Sequence, residues 1–206
     1  MECVNIVYID DIEDIILERH IHQWSTSPFT KDNLDEEINK KFSVINFTSD
    51  MSYEALLEKD EVKQANVILI DNHLFEERTA QSRFSGKQFK VILRKLLPYI
   101  EVIIITQDQF LHGANIVKKF SGTNPQDAES YYDSELIPKL DEAISSVLEF
   151  NNLATDLSTS QDIEKCLKES VINSIHGNVV YETLDKKDID NLIIAFQEVK
   201  NAIEKQ

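Results

Sequence analysis

Residues 67–75 read VILIDNHLF, a run of four apolar residues that ends in a single carboxylate, Asp71. A strand that is apolar at successive positions is covered on both faces, which puts it in the middle of a parallel sheet between helical layers. Asp71 then stands at the rim of that sheet, either as a turn or cap residue or as a group placed there for chemistry. Three other segments bear on the choice. Residues 4–11, VNIVYIDD, close on Asp10 and Asp11; residues 101–108, EVIIITQD, close on Thr106; residues 113–120, GANIVKKF, close on Lys118 and Lys119. Ligands of open α/β sheets bind outside the carboxyl ends of the strands. Three carboxylates, a hydroxyl and an ammonium therefore converge on one rim.

The segments between these runs alternate with them. IEDIILERHIHQW after Asp11 carries Ile12, Ile15, Ile16 and Ile21 at helical spacing, FSVINF (42–47) reads as a second strand, and SYEALLEKDEV as a short helix. GKQFKVILRKLL from Gly86 sets Phe89, Ile92, Leu93, Leu96 and Leu97 on one face, and Pro98 stops it. A long helix from about Ser134 carries Leu136, Ile137, Leu140, Ile144, Val147 and Leu148. Strands alternating with helices predict an α/β fold: a doubly wound, five-stranded parallel sheet.

The bulk properties narrow the class. With 21 basic against 37 acidic residues among 206, the net charge is −16. Such a chain is repelled by phosphate backbones, and no Lys/Arg-dense stretch offers a footprint, so direct nucleic-acid binding is not expected. Cys3 and Cys166 lack the spacing of a zinc site or a disulfide framework. The first residues do not read as a signal peptide, and no apolar run approaches the ~20 residues of a membrane helix. The expectation is a cytoplasmic protein. Four glycines and no glycine-rich loop argue against nucleotide binding. His20 and His22, two apart on a helix, do not share a face and make a poor metal pair.

The four strand ends together resemble a receiver domain of the response-regulator family of two-component signalling, over roughly residues 1–150. The resemblance places the family's acidic pair at Asp10 and Asp11 and its phosphoacceptor at Asp71, with Phe75 where the D-x-x-[ML]-P pattern has proline. It places the Ser/Thr at Thr106 and the lysine of K-P-F at Lys118, with Lys119 in the proline position. Which of the two adjacent lysines faces the acids is left open by the sequence. The backbone carbonyl of His73 would be a metal ligand by family position. A receiver is not an enzyme in the usual sense; it takes a phosphoryl group from a histidine kinase or phosphotransfer protein and signals to a downstream protein partner, or serves as a phosphate sink.

Physical chemistry supports the same set. Three clustered carboxylates repel one another and raise one another's pKa values. A hard divalent cation relieves that repulsion, and Mg²⁺, which prefers oxygen ligands and keeps several waters, is the expected cofactor, held by Asp10, Asp11 and Asp71. A carboxylate so placed can form an aspartyl phosphate, a lysine can neutralise phosphoryl charge, and the Thr106 hydroxyl can report occupancy.

Two departures stand beside the likeness. Nine residues between Thr106 and Ile116 are too few for a parallel crossover with a helix, so the fourth helix of the family is expected to be reduced or absent. Asn115 stands where the family has an aromatic residue three before the lysine. These departures keep a second reading alive, a pseudo-receiver that serves as an interaction module without phosphorylation. The loop from Asp71 to Gly86, with Arg78 and Arg83, is expected to lie over the acids. Residues 1–157 form the receiver-like domain. Residues 158–206 form a helical extension: a first helix ends at Gly177, just after His176, and the second carries the stripe Ile189, Leu192, Ile193, Phe196, Val199 and Ile203. This C-terminal helical hairpin is expected to mediate a homodimer or to fold back on the receiver.

Overall fold

The structure, a computed structural model, describes residues 3–30, 37–48, 50–74, 85–122 and 124–159, together with 169, 172, 173 and 175. β1 (Cys3–Asp10) leads to α1 (Ile15–Ser25), β2 (Asn39–Asn46), and two short helices, α2 (Tyr53–Leu57) and α3 (Asp60–Lys63). β3 (Val67–Asp71) is followed by α4 (Gly86–Leu96), β4 (Glu101–Thr106), β5 (Ile116–Lys118), α5 (Pro125–Glu135) and α6 (Ile137–Thr159). All strand pairs are parallel, in the order β2-β1-β3-β4-β5. That is the doubly wound order of flavodoxin-like and receiver folds, as the strand pattern predicts.

Alternate residues of each strand enter two separate cores. Val7, Ile9, Ile68, Ile70, Val102 and Ile104 pack with α2, α3 and α4 on one face. Ile6, Tyr8, Val67, Leu69, Ile103, Ile105 and Val117 pack with α1, α5 and α6 on the other. The central strand β3 is buried at every position, which is why its sequence shows no polar alternation. The stripe expected on α4 is buried in full, from Phe89 to Leu97. A capping box starts that helix: the Ser85 hydroxyl accepts the Gln88 N–H, and the Gln88 side chain accepts the Ser85 N–H.

Four local expectations are refined. No helix separates β4 from β5, so the fourth helix of the resemblance is absent. The second helix is split in two at Glu58–Lys59. The helix expected from Ser134 is preceded by α5, which Asn124 caps by accepting the Gln126 N–H, with Pro125 in its first turn. α6 continues through Thr159, so the boundary drawn after residue 157 falls in its last turn. Arg78, Arg83 and the hairpin expected after Thr159 lie outside the described residues, apart from the few positions named above.

Candidate functional site

Strand parity decides which groups meet. Tyr8 and Asp10 share a face of β1, as Leu69 and Asp71 share a face of β3, because side chains alternate with a period of two. Tyr8 and Leu69 lie in the α1/α5/α6 core, so both carboxylates leave the sheet on that side. On β5, Val117 lies in the same core and Ile116 packs against the opposite one. Lys119 therefore continues the parity of Val117, and Lys118 that of Ile116.

The contacts follow. Lys119 Nζ lies 2.6 Å from Asp10 Oδ2 and 2.9 Å from Asp71 Oδ1. Lys118, the lysine favoured by the resemblance, turns away: its ammonium donates to the backbone carbonyls of Asp108 and Leu111 in the β4–β5 connection. The assignment of the site lysine thus moves by one residue, and the reason is the face on which Val117 packs. Lys119 also anchors its backbone to the end of β4, its N–H donating to the Thr106 carbonyl at 2.7 Å.

Each carboxylate is held by a distinct set of donors. Asp10 Oδ1 accepts the Ile12 N–H at 3.1 Å, while Oδ2 accepts both Lys119 and the Tyr8 hydroxyl. Tyr8 is a site residue that the sequence reading passed over, although its two-residue spacing from Asp10 was the available signal. Burial, then the charge and hydrogen bond of Asp10, drive the Tyr8 hydroxyl far above the ordinary tyrosine range, so it stays a donor. Asp71 Oδ2 accepts the N–H of His73 at 2.6 Å, in the turn that follows β3. The carbonyl of Asn72 accepts the Gly86 N–H at 3.1 Å, docking that turn on the start of α4. A Cβ on Gly86 would fall within 3.0 Å of the Asp71 carbonyl oxygen, and about 3.1 Å from the Asn72 Cα. Only glycine lets the helix come that close.

The electrostatics are those of acids gathered around one cation. Burial raises the Asp71 pKa; Lys119 opposes this and the charge of Asp10 adds to it. Asp11, more exposed, is also raised, first by its partial burial and then by Asp10. Burial disfavours the Lys119 ammonium, yet its bonds to Asp10 and Asp71 outweigh that and lift its pKa. Carboxylate oxygens of Asp10, Asp11 and Asp71 lie within 4.8 Å of one another. Clustered hard oxygen donors of this kind fit a divalent cation such as Mg²⁺.

Thr106 is fully buried and its hydroxyl accepts the Asp108 N–H at 3.1 Å. Behind the site, the Tyr132 hydroxyl accepts the Phe120 N–H at 3.0 Å and fixes the β5–α5 turn, and burial pushes its pKa up to about 12. His20 is buried on α1 against Tyr132, away from any metal-ligand set among the described residues.

Comparison with known proteins adds little beyond this geometry. No protein-family model matches the chain, and no curated protein matches it. The chain is similar in structure to a two-component transcriptional regulator, AraC, from Clostridium phytofermentans ISDg. That likeness covers 73% of this chain and 98% of the other, with 17% identity and a TM-score of 0.40. No helix among the described residues is long and apolar enough to cross a membrane.

Proposed function

We propose that this chain is a phosphoacceptor of the receiver type, with Asp71 as acceptor, Lys119 as its cation and Thr106 as the hydroxyl that senses the phosphoryl group. The observation that carries the reading is the buried Asp71 at the end of the central strand, ion-paired to a lysine that also bridges to Asp10. A carboxylate oxygen of Asp71 attacks phosphorus, the bond from phosphorus to the donor's leaving group breaks, and the electron pair departs with that group. Lys119 is already at the acceptor and offsets the phosphoryl charge as it arrives. The N–H of His73 holds Asp71 Oδ2 in place. Asp10, Asp11 and Asp71 would hold Mg²⁺, with the His73 carbonyl as a further ligand by family position; when bound, the ion neutralises charge on acceptor and phosphoryl oxygens.

In this reading the donor is a histidine kinase or phosphotransfer protein, the output is a protein contact or storage of phosphate, and the setting is the cytoplasm. Incubation with acetyl phosphate and Mg²⁺ followed by intact mass tests it. The wild type should gain one phosphoryl group, Asp71→Asn none, and Lys118→Met should still be labelled. No gain in the wild type, or undiminished labelling of Asp71→Asn, overturns the assignment.

One observation favours the pseudo-receiver reading instead. Asp10 Oδ2 is already engaged by Tyr8 and Lys119, so part of the acidic charge is neutralised from within the chain. A wild type whose melting temperature does not respond to Mg²⁺ would favour that module without phosphorylation.

A further inference from the structure

A receiver without its fourth helix has to present its state through some other element. The connection over residues 107–115 stands in that place, and it is tied to the site at two independent points. The Asp108 N–H donates to the Thr106 hydroxyl, the group assigned above to sense the phosphoryl group. Lys118, joined by one peptide bond to the site lysine, donates to the carbonyls of Asp108 and Leu111. Within the connection, Asp108 Oδ1 accepts the Phe110 N–H at 2.8 Å. Leu111 packs against the α4-side core, whereas Phe110, between these anchors, is 91% exposed, the most exposed large apolar side chain among the described residues.

We infer that the 107–115 connection reads the state of the acidic site and that Phe110 is the side chain it repositions. The inference rests on the phosphoacceptor reading and names the output element of that same site. A signal needs contacts that differ between two states. Here both anchors differ. A Thr106 hydroxyl drawn to a phosphoryl oxygen gives up its present geometry with the Asp108 N–H. A Lys119 drawn from Asp10 and Asp71 to the phosphoryl group shifts the backbone that carries Lys118. Both shifts act on Asp108, and Asp108 holds Phe110. An exposed aromatic on such a loop is the kind of side chain that anchors a protein contact.

The test uses the full chain with Phe110→Trp in a Trp24→Phe background, so that the tryptophan at position 110 is the only one. Acetyl phosphate and Mg²⁺ are added, and intact mass and tryptophan emission are read on the same sample. The expected result is a shift in emission maximum and anisotropy that tracks the mass gain. Lys118→Met should keep the mass gain and lose the emission response, and Lys118→Arg, which can donate to the same carbonyls, should restore it. If Lys118→Met does not fold, Asp108→Ala, which removes only the side-chain bond to the Phe110 N–H, should give the same loss. A mass gain with no emission shift overturns the inference while leaving the phosphoacceptor reading intact, as does a shift undiminished in Lys118→Met or, where that variant does not fold, in Asp108→Ala. No mass gain removes the reading first and the inference with it.

Discussion

Lys119→Met should be the most damaging single substitution at the site, and its cost should depend on pH and on Mg²⁺. The ammonium lies 2.6 Å from Asp10 and 2.9 Å from Asp71, and none of the three side chains is more than 9% exposed. Methionine keeps most of the volume, so the loss is electrostatic. Removing one partner from a buried ion pair costs about 3–5 kcal/mol, because the charge left behind stays buried. The lower end, about 3 kcal/mol, is expected here, since a proton or a divalent cation can relieve the two acids.

The pH dependence has a definite sign. Burial already holds the Asp71 carboxyl above the ordinary range. The folded state therefore binds protons more readily than the unfolded one, and stability falls as pH rises from the ordinary carboxylate range, about 4, to the raised value. Without Lys119 that value climbs further and the window widens, so the gap between variant and wild type should grow from mildly acid to neutral pH. The raised pKa of Lys119 acts in the same sense but at much higher pH. Its stabilisation is complete below the ordinary lysine value and is lost only as pH rises through the folded one, so the wild type has its full benefit at neutrality.

Urea titrations followed by far-ultraviolet circular dichroism, at about pH 5 and about pH 8, with and without Mg²⁺, measure these terms. Mg²⁺ should recover part of the loss in Lys119→Met. The comparison is Lys118→Met, whose ammonium is part-buried and serves backbone carbonyls rather than carboxylates; it should cost about 1 kcal/mol with little dependence on pH or Mg²⁺. A larger loss for Lys118→Met than for Lys119→Met would refute the placement of the site lysine. A loss under about 1 kcal/mol for Lys119→Met, unchanged by pH, would refute the buried-pair argument.

Gly86→Ala drives a Cβ into the Asp71 carbonyl, so it should cost about 1–3 kcal/mol in urea titration and slow phosphodonor labelling, followed by stopped time courses and intact mass, by up to about 100-fold; no change in either would refute the close approach. Tyr8→Phe removes a donor from Asp10 and should cost about 1.5–3 kcal/mol in urea titration, whereas a neutral result would mean that the hydroxyl bond is dispensable. Mg²⁺ affinity, read by calorimetry, should fall as pH drops through the raised carboxyl pKa values of Asp71 and Asp11, because protons compete for the same oxygens, and Asp11→Asn should weaken it at all pH values. Light scattering should find a homodimer for the full chain and a monomer for a chain ending at residue 157; a monomeric full chain, or a dimer that survives truncation, would exclude pairing through the C-terminal helices.

The sheet and three of its rim residues were legible in the sequence because burial on both faces leaves a plain mark: apolar runs that stop abruptly at Asp10, Asp71 and Thr106. The absent helix was legible too, since nine residues cannot cross over a parallel pair with a helix. α5 was missed because its sequence, PQDAESYYDSE, is mostly polar and carries no apolar stripe; among its described side chains only Ala128 and Tyr132 are buried. The choice between Lys118 and Lys119 belongs to tertiary structure. Adjacent strand residues face opposite ways, and the short run Ile116-Val117 is apolar at both positions, so nothing local says which side is which. Packing of Val117 beside Tyr132 and Leu136 in the α1/α5/α6 core makes that choice and brings Lys119 to the acids. The approach of Gly86 to Asp71 is of the same kind: fourteen residues of chain separate them, and only the docking of α4 against the end of β3 brings their backbones together.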